Sequence, residues 1–367
     1  MDLYFDNAAA MRLLPGSHTI PDLVGNQESP VSGMAQTVAA AELKLLNVLL
    51  APAVAGQYSV FFTNTGTDAI CAVFDILQKE WKKTGCDIAL TGGEHSSLRA
   101  AVKRTGLKQK IIPCRQDGTV TPDDLKNCVT AETVLTAIHL VQPETGVVQD
   151  LAGLRAALPP NTALLVDGIQ GIGKVPFDFS AVKPDFFTIS GQKLGIPSGA
   201  AVICRKKYAK AFRELRLEDH RAGRVPPPFI TMLADTVTDW TAKQEERRAY
   251  AQKLKDLLFH LLDEKIGSKY RKTVPETTET SPFITHILLQ NGVQGAIVSR
   301  ALSAYGIITA PGSACDAETK EPSAALQWMK VPKQELWSAL RISFSPLNDE
   351  DGIRFLTEKL AEILAQY

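Results

Sequence analysis

Apolar residues along the chain change spacing at regular intervals. From about residue 34 to 312, segments of helical period alternate with short β-branched and aromatic runs, the pattern of a mostly parallel sheet covered by helices. Ala35 to Leu50 predicts a helix on which Ala39, Leu43, Leu46 and Leu50 share a face, and Ala69 to Lys82 predicts a second. Tyr58 to Phe62, Asp87 to Leu90, Ile111 to Cys114 and Val134 to Val141 read as strands, as do Ala163 to Val166, Phe186 to Ser190 and Ala200 to Cys204. Right-handed crossovers between them give a doubly wound topology. After Pro226-Pro227-Pro228, a charged helical segment runs from about Asp235 to Glu264. Strands at Thr285 to Leu289 and Leu340 to Phe344 then mix with helices at Gln294 to Ala304 and Asp349 to Ala365. The expected fold is α/β: a large doubly wound, mostly parallel sheet domain over 15–240, with a smaller α+β domain built from 1–14 plus 241–367.

Composition narrows the function. A chain of 367 residues exceeds the roughly 250–300 at which one core stops growing, in keeping with two domains. Lys plus Arg number 40 and Asp plus Glu 40, so no net field recruits a polyanion, and no nucleic acid partner is expected. The 45% hydrophobic and 22% charged content is that of a folded globular protein. Glu42, Lys44 and Asn47 interrupt the apolar run that ends at Leu50, and the N-terminus lacks a basic segment followed by an apolar one. No membrane association is expected, and the reading is of a soluble, cytoplasmic protein. Cysteines 71, 86, 114, 128, 204 and 315 contain no C-x-x-C pair, which argues against a disulfide framework and against a metal site. Most are expected to be buried thiols.

Polar residues at three strand ends carry the candidate chemistry. Leu164-Leu165-Val166 runs into Asp167, with Gln170 three residues on; Phe186 to Ile189 runs into Ser190-Gly191-Gln192-Lys193; Phe61-Phe62 runs into Thr63-Asn64-Thr65-Gly66-Thr67, which opens a helix. Ligands of open α/β sheets lie beyond the carboxyl ends of the strands, so these segments can converge on one crevice. Gly66 and Thr67 at a helix start suit an anion such as a phosphate. A lysine in a partly dry crevice can form a Schiff base with a carbonyl. An acid such as Asp167 suits a pyridinium nitrogen, and equally suits a helix cap.

These motifs resemble the fold-type I pyridoxal phosphate enzymes of the class V aminotransferase group, and among them the cysteine desulfurases. The resemblance rests on Val166-Asp167-Gly168-Ile169-Gln170, Gly173-Lys174-Val175-Pro176 and Ser190-Gly191-Gln192-Lys193. It extends through Tyr4-Phe5-Asp6-Asn7-Ala8-Ala9-Ala10, Glu94-His95, Glu144-Thr145-Gly146, Gly312-Ser313-Ala314-Cys315 and Leu340-Arg341-Ile342-Ser343-Phe344. It implies pyridoxal 5'-phosphate bound covalently by Lys193, with Asp167 on the ring nitrogen, Gln170 on the phenolic oxygen and His95 stacked on the ring. Gly66, Thr67, Ser190 and Gln192 are implied around the phosphate. Arg341 and Asn7 are implied at the substrate, L-cysteine, whose sulfur passes to Cys315 as a persulfide while alanine leaves. Selenocysteine is a variant substrate of the same kind, and a sulfur-acceptor protein is an implied partner.

Three departures from that pattern bear on function. Gln192 stands where the desulfurases usually carry histidine, as in several aminotransferases of the class. Gln142-Pro143 replaces a pair of asparagines, and proline contributes no polar side chain there. Arg224 occupies a slot where the family commonly has a threonine that reaches the neighbouring subunit's phosphate, which implies a homodimer with shared sites. A class V aminotransferase, or a degenerate member acting as a binding protein, are the alternatives to a desulfurase.

Overall fold

The computed structural model describes residues 3–16, 19–23, 33–81, 85–218, 225–312 and 321–367. Cys315 and Arg224 lie outside the described residues. Twelve strands are present among those described: β1 (Leu3–Tyr4), β2 (Tyr58–Thr63), β3 (Asp87–Thr91), β4 (Lys108–Ile112), β5 (Thr133–His139), β6 (Ala163–Asp167), β7 (Phe186–Ser190), β8 (Ala200–Arg205), β9 (Tyr270–Lys272), β10 (Ile284–Leu289), β11 (Ile307–Ile308) and β12 (Ala339–Ser343). Seven of them form one sheet in the order β2-β8-β7-β6-β5-β3-β4. Within it β8 alone runs against its neighbours, pairing antiparallel to both β2 and β7. The fold is therefore the expected α/β arrangement with a large, mostly parallel sheet.

Both faces of the sheet are covered, which explains why its strands read as continuous apolar runs rather than alternating ones. Phe62, Leu164, Val166, Phe187 and Ile189 pack into one core layer, while Phe61, Ala163, Leu165 and Phe186 pack into the other. A third core, centred on Leu254, Leu258, Ile287, Leu340, Ile342 and Leu356, lies under the antiparallel sheet β12-β10-β9. The chain's first described strand joins that region, with β1 parallel to β11 and Asp6 bridging Ser343.

Several elements differ from the sequence expectation. In the Met34–Leu49 helix the buried positions are Met34, Ala41, Leu45 and Leu46, while Ala39 and Leu43 face out. This helix lies against the Pro227–Ala242 helix, and the partner, not the period alone, fixes which stripe is covered. Strand β4 starts at Lys108 rather than Ile111, because an edge strand tolerates the polar Lys-Gln-Lys run. The charged segment after the prolines is two helices, Pro227–Ala242 and Gln244–Lys265. Pro227 occupies the first turn, where its missing N–H costs nothing.

Candidate active site

Because β2, β3, β5, β6 and β7 all run the same way, the turns that follow them emerge at one edge of the sheet. There they line a cavity of about 1050 Å³, open mouth included. Lys193, Asp167, Gln170, His95, Gly66, Thr67, Ser190, Gln192 and Arg341 all contribute to its wall. Asn7 does not. Its buried Nδ2 donates to Ser343 O at 2.9 Å and to Asn348 Oδ1 at 3.2 Å, so it ties the N-terminal segment to the end of β12.

Local structure dictates how each side chain is presented. Lys193 ends a single 3-10 turn after β7 (Gly191–Lys193), and its Nζ donates to Ala9 O. Asp167 closes β6; its Oδ1 accepts from Ile169 N at 3.1 Å and Thr188 Oγ1 at 3.2 Å, leaving the other oxygen available to a ligand. Burial and then the neighbouring Glu94 hold the Asp167 carboxyl above the usual range. Gln170 donates through Nε2 to Ala8 O at 2.7 Å, and its Oε1 is buried without a hydrogen-bond partner.

His95 caps the Ser96–Thr105 helix: its Nδ1 accepts from Ser97 N at 3.2 Å, with Ser97 Oγ at 2.7 Å. The same ring is thus a hydrogen-bonded helix cap and part of the cavity wall. At the start of the Gly66–Trp81 helix, Thr65 and Asp68 cap each other through Thr65 N and both side chains. Gly66 leaves room there, since a Cβ would stand 2.6 Å from Ile169 Cδ1 and 3.2 Å from Ser190 Cβ and would press both side chains aside. Its N–H and that of Thr67 head the helix at the cavity wall.

Opposite this wall, Arg341 on β12 is buried and committed on two sides. Nη2 pairs with Asp6 Oδ1 at 2.7 Å, Nη1 donates to Pro143 O at 3.0 Å, and Nε has no partner. Glu144, also on the wall, accepts from Ser323 Oγ at 2.6 Å and stands 3.5 Å from His286 Nε2. Burial pushes its carboxyl up, but His286, Ser323 and Arg341 together outweigh this and hold it below its ordinary value. A Cβ on Gly312 would come within 2.9 Å of Glu144 Oε1. Both chain ends that flank the segment carrying Cys315 therefore meet the wall at Glu144.

Sequence reasoning quoted Glu94, Asp6 and Glu144 only as motif residues without a role, and missed Arg99. Arg99 lines the cavity one helical turn beyond His95 and donates to Glu94 O at 3.0 Å. That four-residue spacing was the available signal. Gln142, in a slot where asparagine was expected, is spent on the turn: its Oε1 accepts from Glu144 N and Thr145 N, and Nε2 donates to Gly93 O.

Residues 24–356 match the family model described as aminotransferase class V. The chain belongs to the class V aminotransferase family. This is a family of enzymes that depend on pyridoxal phosphate. Similar curated proteins include the cysteine desulfurase IscS of Methanosarcina thermophila, 25% identical over 84% of this chain and 78% of that protein. A cysteine desulfurase of Nostoc sp. is 26% identical over the same shares. In fold, the chain resembles a NifS-like protein from Rickettsia africae with a TM-score of 0.84 at 21% identity, covering 100% of both chains. A cysteine desulfurase from Thermococcus onnurineus gives 0.78 at 16% identity, over 100% of this chain and 95% of that one.

The wall fits the family's coenzyme on three grounds internal to this chain. A buried carboxyl with one oxygen already tied to the turn suits a basic ring nitrogen, a helix start cleared by Gly66 suits a phosphate, and the orphaned Gln170 Oε1 awaits a polar partner. Among the described residues, no helix is long and apolar enough to cross a membrane.

Proposed function

We propose that the protein is a cysteine desulfurase that converts L-cysteine to L-alanine and leaves the sulfur as a persulfide on Cys315. The observation that carries this reading is the convergence of Lys193, Asp167, His95 and Arg341 on one cavity whose rim holds Gly312 and Ser323 on Glu144. Cys315 is the third residue after Gly312, a reach of at most about 10 Å, so the thiol can meet a substrate seated on Arg341.

Pyridoxal phosphate, when bound, supplies an electron sink for the pair released at the substrate Cα. Lys193 would hold it and, through Nζ, would move the proton at the substrate Cα. Asp167 would hold its ring nitrogen, His95 would lie against the ring, Gln170 would meet the phenolic oxygen, and Gly66, Thr67, Ser190 and Gln192 would hold its phosphate. Arg341 grips the substrate carboxylate in a planar fork. Sγ of Cys315, as thiolate, attacks the substrate sulfur; the carbon–sulfur bond breaks, Cβ gains a proton, and cysteine plus thiol become alanine plus persulfide. The reading extends to a homodimer in which Arg224 reaches the partner's phosphate, and to an acceptor protein that takes the sulfur onward.

A second reading, an aminotransferase of the same family, is favoured by Gln192, whose neutral amide donates to Pro197 O at 3.4 Å and offers no acid or base. Incubation with L-cysteine and a thiol reductant separates the two. Equal alanine and sulfide, both lost in Cys315→Ser, is the desulfurase outcome; a keto acid without sulfide is the aminotransferase. Lys193→Ala is expected to lose the coenzyme's visible absorbance in either case.

A further inference from the structure

Beside Asp167 lies a second buried carboxylate that the chemistry above does not use. Glu94 follows β3 and lines the same cavity, and its side chain is fully buried. Three donors crowd its Oε1: Thr91 Oγ1 at 2.6 Å, His139 Nδ1 at 2.9 Å and His139 N at 3.0 Å. Oε2 is buried with no hydrogen-bond partner. His139 ends β5 level with Asp167 on β6, so the two side chains leave the same face of the sheet.

Whether His139 cancels the charge on Glu94 depends on its second nitrogen. His139 Nε2 stands 3.3 Å from Gln149 Nε2. The Gln149 amide is fixed by two backbone partners: Nε2 donates to Gly118 O at 2.9 Å, and Oε1 accepts from Val120 N at 3.0 Å. The group facing the imidazole is therefore a donor, so Nε2 must accept, and the single ring proton sits on Nδ1 toward Glu94. His95 is likewise an acceptor at Nδ1. The remaining charged groups at this corner of the cavity are Arg99, engaged with Glu94 O, and Lys193, engaged with Ala9 O.

We propose that Glu94 is an electrostatic positioning residue: a second negative charge, left uncancelled by the neutral His139 that Gln149 enforces, which keeps a proton on the nitrogen of a pyridine-type ring facing Asp167. This rests on the coenzyme reading above. In the free protein a charge on Glu94 opposes a charge on Asp167; a protonated ring nitrogen beside Asp167 would offset that repulsion with its own positive charge. The raised carboxyl of Asp167, owed first to burial and then to Glu94, agrees with this.

Glu94→Gln keeps the shape and the acceptor while removing the charge. With pyridoxal phosphate labelled with nitrogen-15 in the ring, the pH at which the bound ring nitrogen loses its proton is expected to fall by about one unit or more. In the coenzyme-free proteins, the wild type is expected to lose stability as pH rises through the elevated Asp167 titration, and the variant to lose less. Nitrogen NMR of His139 in the unmutated protein is expected to show a proton on Nδ1 only, at pH 7. An imidazolium at His139, or a ring titration unchanged in Glu94→Gln, overturns the proposal. Failure of the coenzyme reading looks different: the wild type then carries no visible chromophore, or one that survives Lys193→Ala.

Discussion

Arg341 reaches the cavity with its fork half occupied, since Asp6 and Pro143 O each hold one of its terminal nitrogens. A substrate carboxylate must share or displace those contacts, which only a planar donor set can do without losing Asp6. Arg341→Lys is expected to raise KM for L-cysteine by roughly 10- to 100-fold, the value of one charged hydrogen bond, with coenzyme absorbance unchanged. Among the thiols, burial pushes Cys114 up to about 11 and Cys204 up to about 12, and raises Cys128 as well. These are poor nucleophiles at neutral pH. Brief iodoacetamide treatment at pH 7.5 is expected to modify Cys315 well before Cys114 or Cys204, as read by peptide mass mapping.

At the level of elements, β12 is held in place by a contact that tolerates no extra atom. A Cβ on Gly295, at the start of the Gly295–Ser303 helix, would lie 1.7 Å from Ala339 O, two residues before Arg341. Backbone must move to accept it, so Gly295→Ala is expected to cost about 3 kcal/mol or more, measured by urea unfolding, and to weaken substrate binding through Arg341. How much was readable beforehand follows the same physics. Strands buried on both faces, such as β6 and β7, declared themselves as apolar runs ending in polar residues, and the convergence of Asp167, Lys193 and Gly66 followed from their shared direction. The outward turn of Ala39 and Leu43 was not readable, because a helix rich in alanine and leucine offers two plausible stripes. Nor was the His139–Gln149 arrangement, since those residues meet only when β5 and the turn beyond it pack together.

Among the described residues, buried lysines shape the response to pH, Lys174 most of all. Lys174 is almost fully buried, its Nζ 5.9 Å from the ring centroids of both Trp240 and Phe283, and among the described residues no carboxylate pairs with it. Burial, helped by Lys193, lowers it from 10.5 to about 7. The unfolded chain therefore binds the extra proton between those values, and this residue's contribution makes stability rise with pH across that window. At or below pH 7 the cost is on the order of 4 kcal/mol. Lys174→Met is expected to unfold at a higher temperature than wild type at pH 7, with the gap closing toward pH 10.5.

The N-terminal segment has a consequence for how the molecule is made. Residues 6–9 are wedged among Arg341, Gln170 and Lys193 through Asp6, Ala8 O and Ala9 O, and Asn7 is bonded to Ser343, 336 positions away. Residues 6–9 thus cannot be seated until the segment carrying Arg341 and Ser343 is also present. A chain extended past β8 but not yet to β12 carries every strand of the central sheet, yet lacks Arg341 and Ser343, the groups that fix residues 6–9 at the pocket.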